Sequence, residues 1–206
     1  MAPVDLQPTL RVQLGDPELI SEMVARPGVL RSGHFRMLSG LHSDRFLAFS
    51  RLAAHAHTLE LVGRYLAPVI SPWQPQVVVA PSTAGVALAS QLSRHLAIPL
   101  LLADLDDDGR ATGLLGDIDI ADRRALLVND VVTTGQGLQS LATVVRDTGA
   151  QLAGACWFLR RADIDVAALL DAPAACLGTL ELAAWPADQC PGCRDGAPLQ
   201  QALDLN

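Results

Sequence analysis

The chain contains no lysine, and all fifteen of its Lys and Arg residues are arginine. Reaction mechanisms that need a lysine amine, as a Schiff base or as a general base, are therefore excluded. Long hydrophobic runs are also absent: no stretch of about 18 apolar residues could form a membrane span, so no membrane partner is expected. The first residues lack the basic start and apolar core of a signal peptide, and we expect a cytoplasmic protein.

An excess of positive charge is absent as well. The formal net charge is −7, whereas a general nucleic-acid binder needs a basic surface, so no nucleic-acid partner is predicted. The length of 206 residues suits one α/β domain and is sufficient to bury a full core.

Motifs of several common enzyme classes are missing. The chain has neither the G-x-x-x-x-G-K-[ST] sequence of nucleoside triphosphatases nor the G-x-G-x-x-G sequence of classical dinucleotide sites. A hydrolase nucleophile at Ser82 is excluded because Ala80 and Ala84 occupy the glycine positions of the G-x-S-x-G motif.

Cysteine is scarce, with only four residues in the chain. Cys156 and Cys176 lie in apolar runs, which predicts small buried side chains. Cys190 and Cys193 form a C-x-x-C sequence, but one pair is only half of a zinc site and no second pair accompanies it. A tight Pro-Gly turn is therefore favoured over a metal or redox role, and no metal ligand is predicted.

The sequence does contain a regular alternation of short apolar runs and helical segments. Asp16 and Pro17 form a good helix start, and the helix should stop at Pro27. The other predicted elements are strands at 76–80, 99–103, 125–129, 152–159 and 175–182, helices at 52–66, 86–96, 136–148 and 164–170, strand and turn at 33–49, and a hairpin or flexible excursion at 104–122. This alternation predicts an α/β fold with a mostly parallel central sheet flanked by helices, whose ligands bind beyond the carboxyl ends of the strands.

Two of the predicted strands end in turns that are rich in hydroxyls and glycine. PSTAG (81–85) follows one strand and DVVTTGQG (130–137) follows another. Backbone N–H groups at a helix N-terminus, with hydroxyls and glycine nearby, can cradle a phosphate, and Asp130 would then face a ribose. The same residues also suit an ordinary turn in which Thr134 caps the helix. The residues alone leave both interpretations open.

Resemblance to a known family favours the phosphate cradle. ALLVNDVVTTGQGL (125–138) resembles the phosphoribosyl-pyrophosphate motif of the type I phosphoribosyltransferases. GHFRMLSGLHSDRF (33–46) and CPGCRDGAPL (190–199) resemble the GHF…SSGLHSPYY and CPLCREGxPL segments of orotate phosphoribosyltransferases within that family. With PSTAG in the place of the pyrophosphate loop, the resemblance covers nearly the whole chain in order.

The resemblance implies a type I phosphoribosyltransferase-like fold and a reaction. Ribose 5-phosphate would pass from phosphoribosyl pyrophosphate to orotate, giving orotidine 5′-monophosphate and pyrophosphate, in a homodimer that uses Mg²⁺ held largely by substrate oxygens. The implied organisation is a single domain over 1–206, with N-terminal helices and a hood segment at 1–70, a core at 71–182 and a CPGC tail at 183–206. The N-terminal and C-terminal segments would together form a small hood.

The resemblance also implies roles for individual residues. Asp130 would be the catalytic carboxylate at the ribose hydroxyls, with Asn129 beside it. Phe46 would pack near the base, and Arg160 or Arg161 would bind the orotate carboxylate. The remaining contacts would come from two loops. The 5′-phosphate loop consists of Thr133, Thr134, Gly135, Gln136 and Gly137, and the pyrophosphate loop consists of Ser82, Thr83, Ala84 and Gly85.

The chain departs from the family pattern at its expected catalytic loop. The family carries lysine, arginine or histidine there, whereas residues 104–119 hold six aspartates and one arginine, Arg110. Arg110 is the predicted catalytic cation, with Arg123 and Arg124 as alternatives. Asn129 replaces the first acid of the usual pair but can still bind a hydroxyl.

These departures leave two other functions open. One is a non-catalytic, regulatory homologue that binds phosphoribosyl pyrophosphate or a nucleotide, and the other is a phosphoribosyltransferase for another base.

Overall fold

The computed structural model describes residues 8–37, 39–83 and 85–201. Its strands are β1 (Thr9–Val12), β2 (Leu30–Arg36), β3 (His42–Leu47), β4 (Val77–Pro81), β5 (Leu100–Leu105), β6 (Ala111–Leu115), β7 (Arg124–Val128), β8 (Val131–Val132), β9 (Gln151–Arg160), β10 (Ala174–Glu181) and β11 (Gln200–Gln201). Its α-helices are α1 (Pro17–Ala25), α2 (Phe49–Ala53), α3 (Ala56–Ile70), α4 (Val86–Leu96), α5 (Gln136–Asp147), α6 (Val166–Leu170) and α7 (Pro191–Arg194). No helix in these ranges combines the length and the apolar character that a membrane crossing requires.

The central sheet has the strand order β1-β10-β9-β7-β4-β5-β6, with β8 also paired to β9. Strands β10, β9, β7, β4 and β5 run parallel to one another, and β1 and β6 form the two edges, each antiparallel to its neighbour. The predicted mostly parallel sheet is therefore confirmed. Strand β1 belongs to this sheet, so part of the N-terminal third contributes to the core rather than to the hood.

Both faces of the central sheet are covered by helices. Within β4, Val78 packs into the core on the face of α1–α4, whereas Val77 and Val79 pack into a second core with α5 and α6. Because side chains alternate along a strand, the all-apolar β4 sequence is explained by burial on both faces.

Helix α1 begins as the sequence predicts. The Asp16 carboxylate accepts hydrogen bonds from the backbone N–H groups of Glu18 at 2.9 Å and Leu19 at 3.3 Å. The predicted helix over 52–66 is wrong in its bounds, because α2 and α3 are separate helices. His55 has extended backbone angles between them, and both helices direct apolar side chains into the core.

A second, smaller sheet of order β11-β2-β3 lies apart from the central sheet. Phe35, Phe46 and Ala48 form a separate apolar cluster beneath it. The C-terminal tail joins this sheet through β11 and through α7, which is a single helical turn. We call the β11-β2-β3 sheet together with α7 the hood.

Candidate active site

A cavity of about 1050 Å³ lies where the carboxyl ends of β4 and β7 face the hood. The turn after β4, the segment from Asn129 to Leu138, the hairpin turn between β5 and β6 and the hood all contribute to its wall. This is the place where a parallel α/β sheet is expected to bind its ligands.

The loop 133–137 forms one wall of the cavity at the N-terminus of α5. Gly135 has a φ of +81°, a left-handed conformation that strongly favours glycine, and a Cβ on it would collide with the Leu169 side chain. No described residue accepts a hydrogen bond from the backbone N–H groups of Thr133, Thr134 or Gly135. A helix N-terminus with unpaired N–H groups and a positive dipole end suits a phosphate.

The alternative role of Thr134 as an ordinary helix cap receives little support. Its hydroxyl lies 3.5 Å from the backbone nitrogen of Gln136, which is long for a hydrogen bond. Thr134 instead lines the cavity together with Thr133 and Gln136.

Asp130 lies in the cavity wall and is only 8% exposed. Burial raises the pKa of its carboxyl above the ordinary value, and a hydrogen bond from the Val131 backbone opposes that rise. The neighbouring Asn129 side chain is turned back, and its Oδ1 accepts a hydrogen bond from the Asp130 N–H at 2.8 Å. The amide therefore fixes the backbone at the strand end in addition to lining the cavity.

The turn after β4 packs directly against this strand end. A Cβ on Gly85 would lie 3.2 Å from the Asp130 backbone nitrogen, so the close approach of the two segments is suited to glycine. Ser82 and Thr83 line the cavity, whereas Gly85 lies beneath it as a packing residue. Ala84, predicted to contact pyrophosphate, lies outside the described residues.

Arg161 brings a buried positive charge to the cavity. It is 2% exposed, and burial lowers the pKa of its guanidinium to about 10, with Asp44 acting in the opposite direction. Its Nη2 donates to the Ser43 hydroxyl at 2.7 Å and to the Arg45 carbonyl at 3.1 Å. Among the described residues, its Nε has no hydrogen-bond partner and no carboxylate forms an ion pair with it.

Arg160, the other predicted carboxylate ligand, points away from the cavity. Its guanidinium forms an ion pair with Asp163 at 2.8 Å and donates to the Thr179 hydroxyl at 2.6 Å and the Ile164 carbonyl at 2.9 Å. It borders a separate cavity of about 640 Å³. Of the two arginines, the structure therefore places only Arg161 at the site, because successive residues leave a strand on opposite sides.

Strands β5 and β6 form a hairpin over residues 100–115, so the hairpin alternative holds for the first part of the segment 104–122. The Asp106 carboxylate accepts hydrogen bonds from the backbone N–H groups of Asp108 at 3.0 Å and Arg110 at 2.8 Å, which stabilises the turn. Arg110 lines the cavity, but its exposed guanidinium lies 3.9 Å from the Asp108 carboxylate. Arg123 and Arg124 do not line the cavity.

The hood supplies residues that sequence reasoning missed. Phe46 lines the cavity as predicted, and Arg36, Met37 and Ser39 line it too. The Ser39 hydroxyl is buried and has no partner among the described residues. These missed residues lie in the segment 33–46, which resembles a segment of orotate phosphoribosyltransferases. That resemblance was the signal that could have identified them.

Comparisons with known proteins agree with this geometry. A family model described as the phosphoribosyl transferase domain matches residues 49–167. The orotate phosphoribosyltransferase of Thermus thermophilus is 31% identical over 182 residues, which cover 88% of this chain and 98% of that protein. The orotate phosphoribosyltransferase of Caldanaerobacter subterraneus subsp. tengcongensis is 28% identical over 185 residues, which cover 89% of this chain and 95% of that protein.

Solved structures show the same fold. The orotate phosphoribosyltransferase from Aeropyrum pernix has a TM-score of 0.64 at 21% identity, covering 78% of this chain and 93% of that chain. The adenine phosphoribosyltransferase from Thermoanaerobacter pseudethanolicus has a TM-score of 0.57 at 15% identity, covering 66% and 88%. Fold and cavity thus define a type I phosphoribosyltransferase. The chain belongs to the phosphoribosyltransferase family, and the prediction of that family from the sequence is confirmed.

Proposed function

We propose that the protein transfers ribose 5-phosphate from phosphoribosyl pyrophosphate to orotate, forming orotidine 5′-monophosphate and pyrophosphate. The observation that carries this proposal is the buried guanidinium of Arg161 in the same cavity as the phosphate-type loop 133–137. A buried cation without an ion-pair partner is costly unless a ligand supplies negative charge, and the carboxylate of orotate would do so. Uncharged bases such as adenine or uracil would leave this charge uncompensated.

The remaining groups fit the proposed reaction. The loop N–H groups would hold the 5′-phosphate, and Ser82 and Thr83 would face the pyrophosphate. Asp130 would accept hydrogen bonds from the ribose hydroxyls, and its negative charge would stabilise positive charge that develops at the anomeric carbon. Catalysis would then rest on positioning and on charge stabilisation, with no covalent intermediate on the protein.

We propose that Mg²⁺ accompanies the substrate. The Asp130 carboxylate in the cavity wall offers the oxygen ligands that Mg²⁺ prefers. Among the described residues, no group of three potential ligands lies close enough together there to hold the ion alone. The donor set thus fits an ion coordinated mainly by substrate oxygens, whose chemical contribution would be to neutralise pyrophosphate charge.

The test is a titration with phosphoribosyl pyrophosphate and Mg²⁺ in a calorimeter, followed by product analysis with orotate, uracil, adenine and hypoxanthine. We expect saturable binding and formation of orotidine 5′-monophosphate alone. Product from another base and none from orotate would assign a different substrate. Binding without turnover of any base would instead establish the regulatory alternative.

That regulatory alternative is favoured by one observation, the acidic hairpin turn. Asp108 faces the cavity beside Arg110 and would repel pyrophosphate.

If the protein is an enzyme, Arg110→Gln should lower kcat about 10²–10³-fold, because a cation that stabilises developing negative charge contributes that much to the rate. Asp108→Asn should raise kcat/KM for phosphoribosyl pyrophosphate severalfold.

Asp117→Asn is the matched control, since it removes the same charge from an exposed position outside the cavity. It should leave steady-state kinetics unchanged. Normal turnover in Arg110→Gln would show that Arg110 is not the catalytic cation.

A further inference from the structure

Four side chains of the hood converge on one point away from the cavity. Every ligand atom in this group lies within 4.8 Å of the others, and the group consists of His34, His42, Cys190 and Cys193. His34 Nε2 lies 3.1 Å from His42 Nδ1 and 3.3 Å from Cys190 Sγ. Cys193 Sγ lies 3.6 Å from His34 Nε2 and 3.2 Å from His42 Nδ1.

These four separations are close to four of the six edges of a tetrahedron around a metal ion. Zinc bonds of 2.0–2.1 Å to nitrogen and 2.3 Å to sulfur place neighbouring ligand atoms roughly 3.3–3.8 Å apart. The four separations given above are 3.1–3.6 Å. Two sulfurs and two imidazole nitrogens form the Cys₂His₂ set that is typical of structural zinc sites.

The surroundings orient these groups as ligands. The Ala197 carbonyl lies 2.9 Å from His34 Nδ1, so that nitrogen donates and the lone pair of Nε2 is directed at the cluster. A Cβ on Gly192 would lie 2.7 Å from His34 Cγ, which means that the glycine between the two cysteines lets the ring reach them.

The fold brings these distant residues together. His34 and His42 lie on the paired strands β2 and β3, and backbone hydrogen bonds of 2.8 Å in both directions join His42 to Trp185 of the tail. The tail then places Cys190 at the N-cap of α7 and Cys193 within that helix, beside the two imidazoles. Both cysteines are free thiols, so no disulfide joins them.

We propose that His34, His42, Cys190 and Cys193 bind one Zn²⁺ ion as a structural site that fastens the C-terminal tail to the β2–β3 hairpin. His42 adjoins Ser43, whose hydroxyl accepts from Arg161 and donates to the Ala183 carbonyl at 2.7 Å. The ion would thus fix the hood that holds Arg161. The site is separate from the cavity and does not depend on the substrate proposed above.

The first measurement is the metal content of the protein by elemental mass spectrometry. The protein is purified without a polyhistidine tag and without a chelator. We expect one zinc per chain, removed by a strong chelator with a fall in the thermal midpoint. Refilling with Co²⁺ should give the visible absorption of a tetrahedral, thiolate-bound ion in the wild-type protein. Absence of stoichiometric zinc, or a Cys190–Cys193 disulfide instead, would overturn the proposal.

Substitutions test the ligands one by one. Cys193→Ser and His42→Gln should weaken zinc binding, measured by competition with a chromophoric chelator, by about 100-fold or more. The matched control is Cys176→Ser, a buried cysteine in the central sheet whose hydrogen bonds a serine can replace. Unchanged zinc affinity in both ligand variants, or an equal loss in the control, would contradict the assignment. Should a variant not fold, the wild-type Co²⁺ spectrum still decides whether thiolates bind the ion.

Discussion

Arg161 and Asp130 bring opposite charges to one cavity, and neither forms an ion pair with another described residue. Burial shifts the pKa of each group toward its neutral form, down to about 10 for Arg161 and upward for Asp130. Such groups lower the stability of the free protein, and a ligand that supplies the missing opposite charge offsets this loss. The two residues therefore mark the places where substrate charge is expected.

Replacing Arg161 should impair orotate binding specifically. We expect Arg161→Gln to raise the KM for orotate about 10–100-fold, because a hydrogen bond between charged groups contributes about 1.5–3 kcal/mol. Arg160→Gln is the matched control, since it removes an equal charge one residue away and outside the cavity. Steady-state kinetics with each substrate varied in turn provides the measurement. An equal effect of both substitutions on the KM for orotate would refute the assignment.

Replacing Asp130 should increase stability while abolishing turnover. A carboxyl whose pKa is raised in the folded state contributes stability below its unfolded pKa, near 3.8, and loses that contribution as pH rises through the folded value. Asp130→Asn should therefore raise the thermal midpoint at pH 7.5 by about 3 °C, roughly 1 kcal/mol for this chain length. The gain should vanish toward pH 3.8. A gain that persists unchanged at low pH would show that ionisation is not its cause.

At the scale of elements, prediction succeeded where signals are local. Helix α4 has the predicted bounds of 86–96, because a buried β-branched strand and a glycine-containing turn precede it. Strands β1, β6 and β11 were not predicted individually, since each is short and partly exposed and is stabilised by partners distant in sequence. The predicted helix over 52–66 failed at His55, where no proline or glycine marks the break.

The candidate site shows the same distinction between local sequence signals and contacts between residues distant in the sequence. The loop 133–137 is contiguous, so the family resemblance of one segment was sufficient to predict it as a unit. The choice of Arg161 over Arg160 required the positions of Ser43 and Arg45, which are more than a hundred residues away in the chain. The cysteines near the C-terminus suggested only a turn, because their partner histidines lie far away in the β2–β3 hairpin and show no recognisable ligand spacing.

The conformation of the phosphate-type loop provides a test at this scale. Gly135 and Gly28 both have a φ of +81°, but only a Cβ on Gly135 meets a neighbouring side chain, Leu169. Alanine at either position should cost about 1 kcal/mol of folding stability through left-handed strain. Gly135→Ala should cost more, and should also raise the KM for phosphoribosyl pyrophosphate about tenfold or more by displacing the loop. Urea unfolding and kinetics of both variants should therefore differ; equal losses with an unchanged KM would contradict this account.

At the scale of the whole molecule, the hood and the central sheet are joined by Leu30 and Leu47, which pack into the main core, and by polar contacts near the cavity. Arg161, at the end of β9, bonds to Ser43 and Arg45 of the hood. The Leu182 N–H, just after β10, bonds back to the Arg161 carbonyl at 3.3 Å. Because Arg161 is buried between the two units, separating them would expose its guanidinium and break its hydrogen bonds together. We therefore expect the hood and the core to unfold in one cooperative step.

This cooperativity can be measured with a ligand that reaches only the core. Ribose 5-phosphate should bind the loop 133–137, and at about 100 times its Kd it should stabilise the folded state by about 2.7 kcal/mol. For a chain of this length that gain corresponds to a rise of about 5–10 °C in the thermal midpoint. Far-ultraviolet circular dichroism and tryptophan fluorescence should show the same single transition moving by the same amount. Ribose at equal concentration is the control and should produce no shift, since it lacks the phosphate. Two transitions, of which ribose 5-phosphate moves only one, would show that the hood folds independently and that the Arg161 contacts do not couple it to the core.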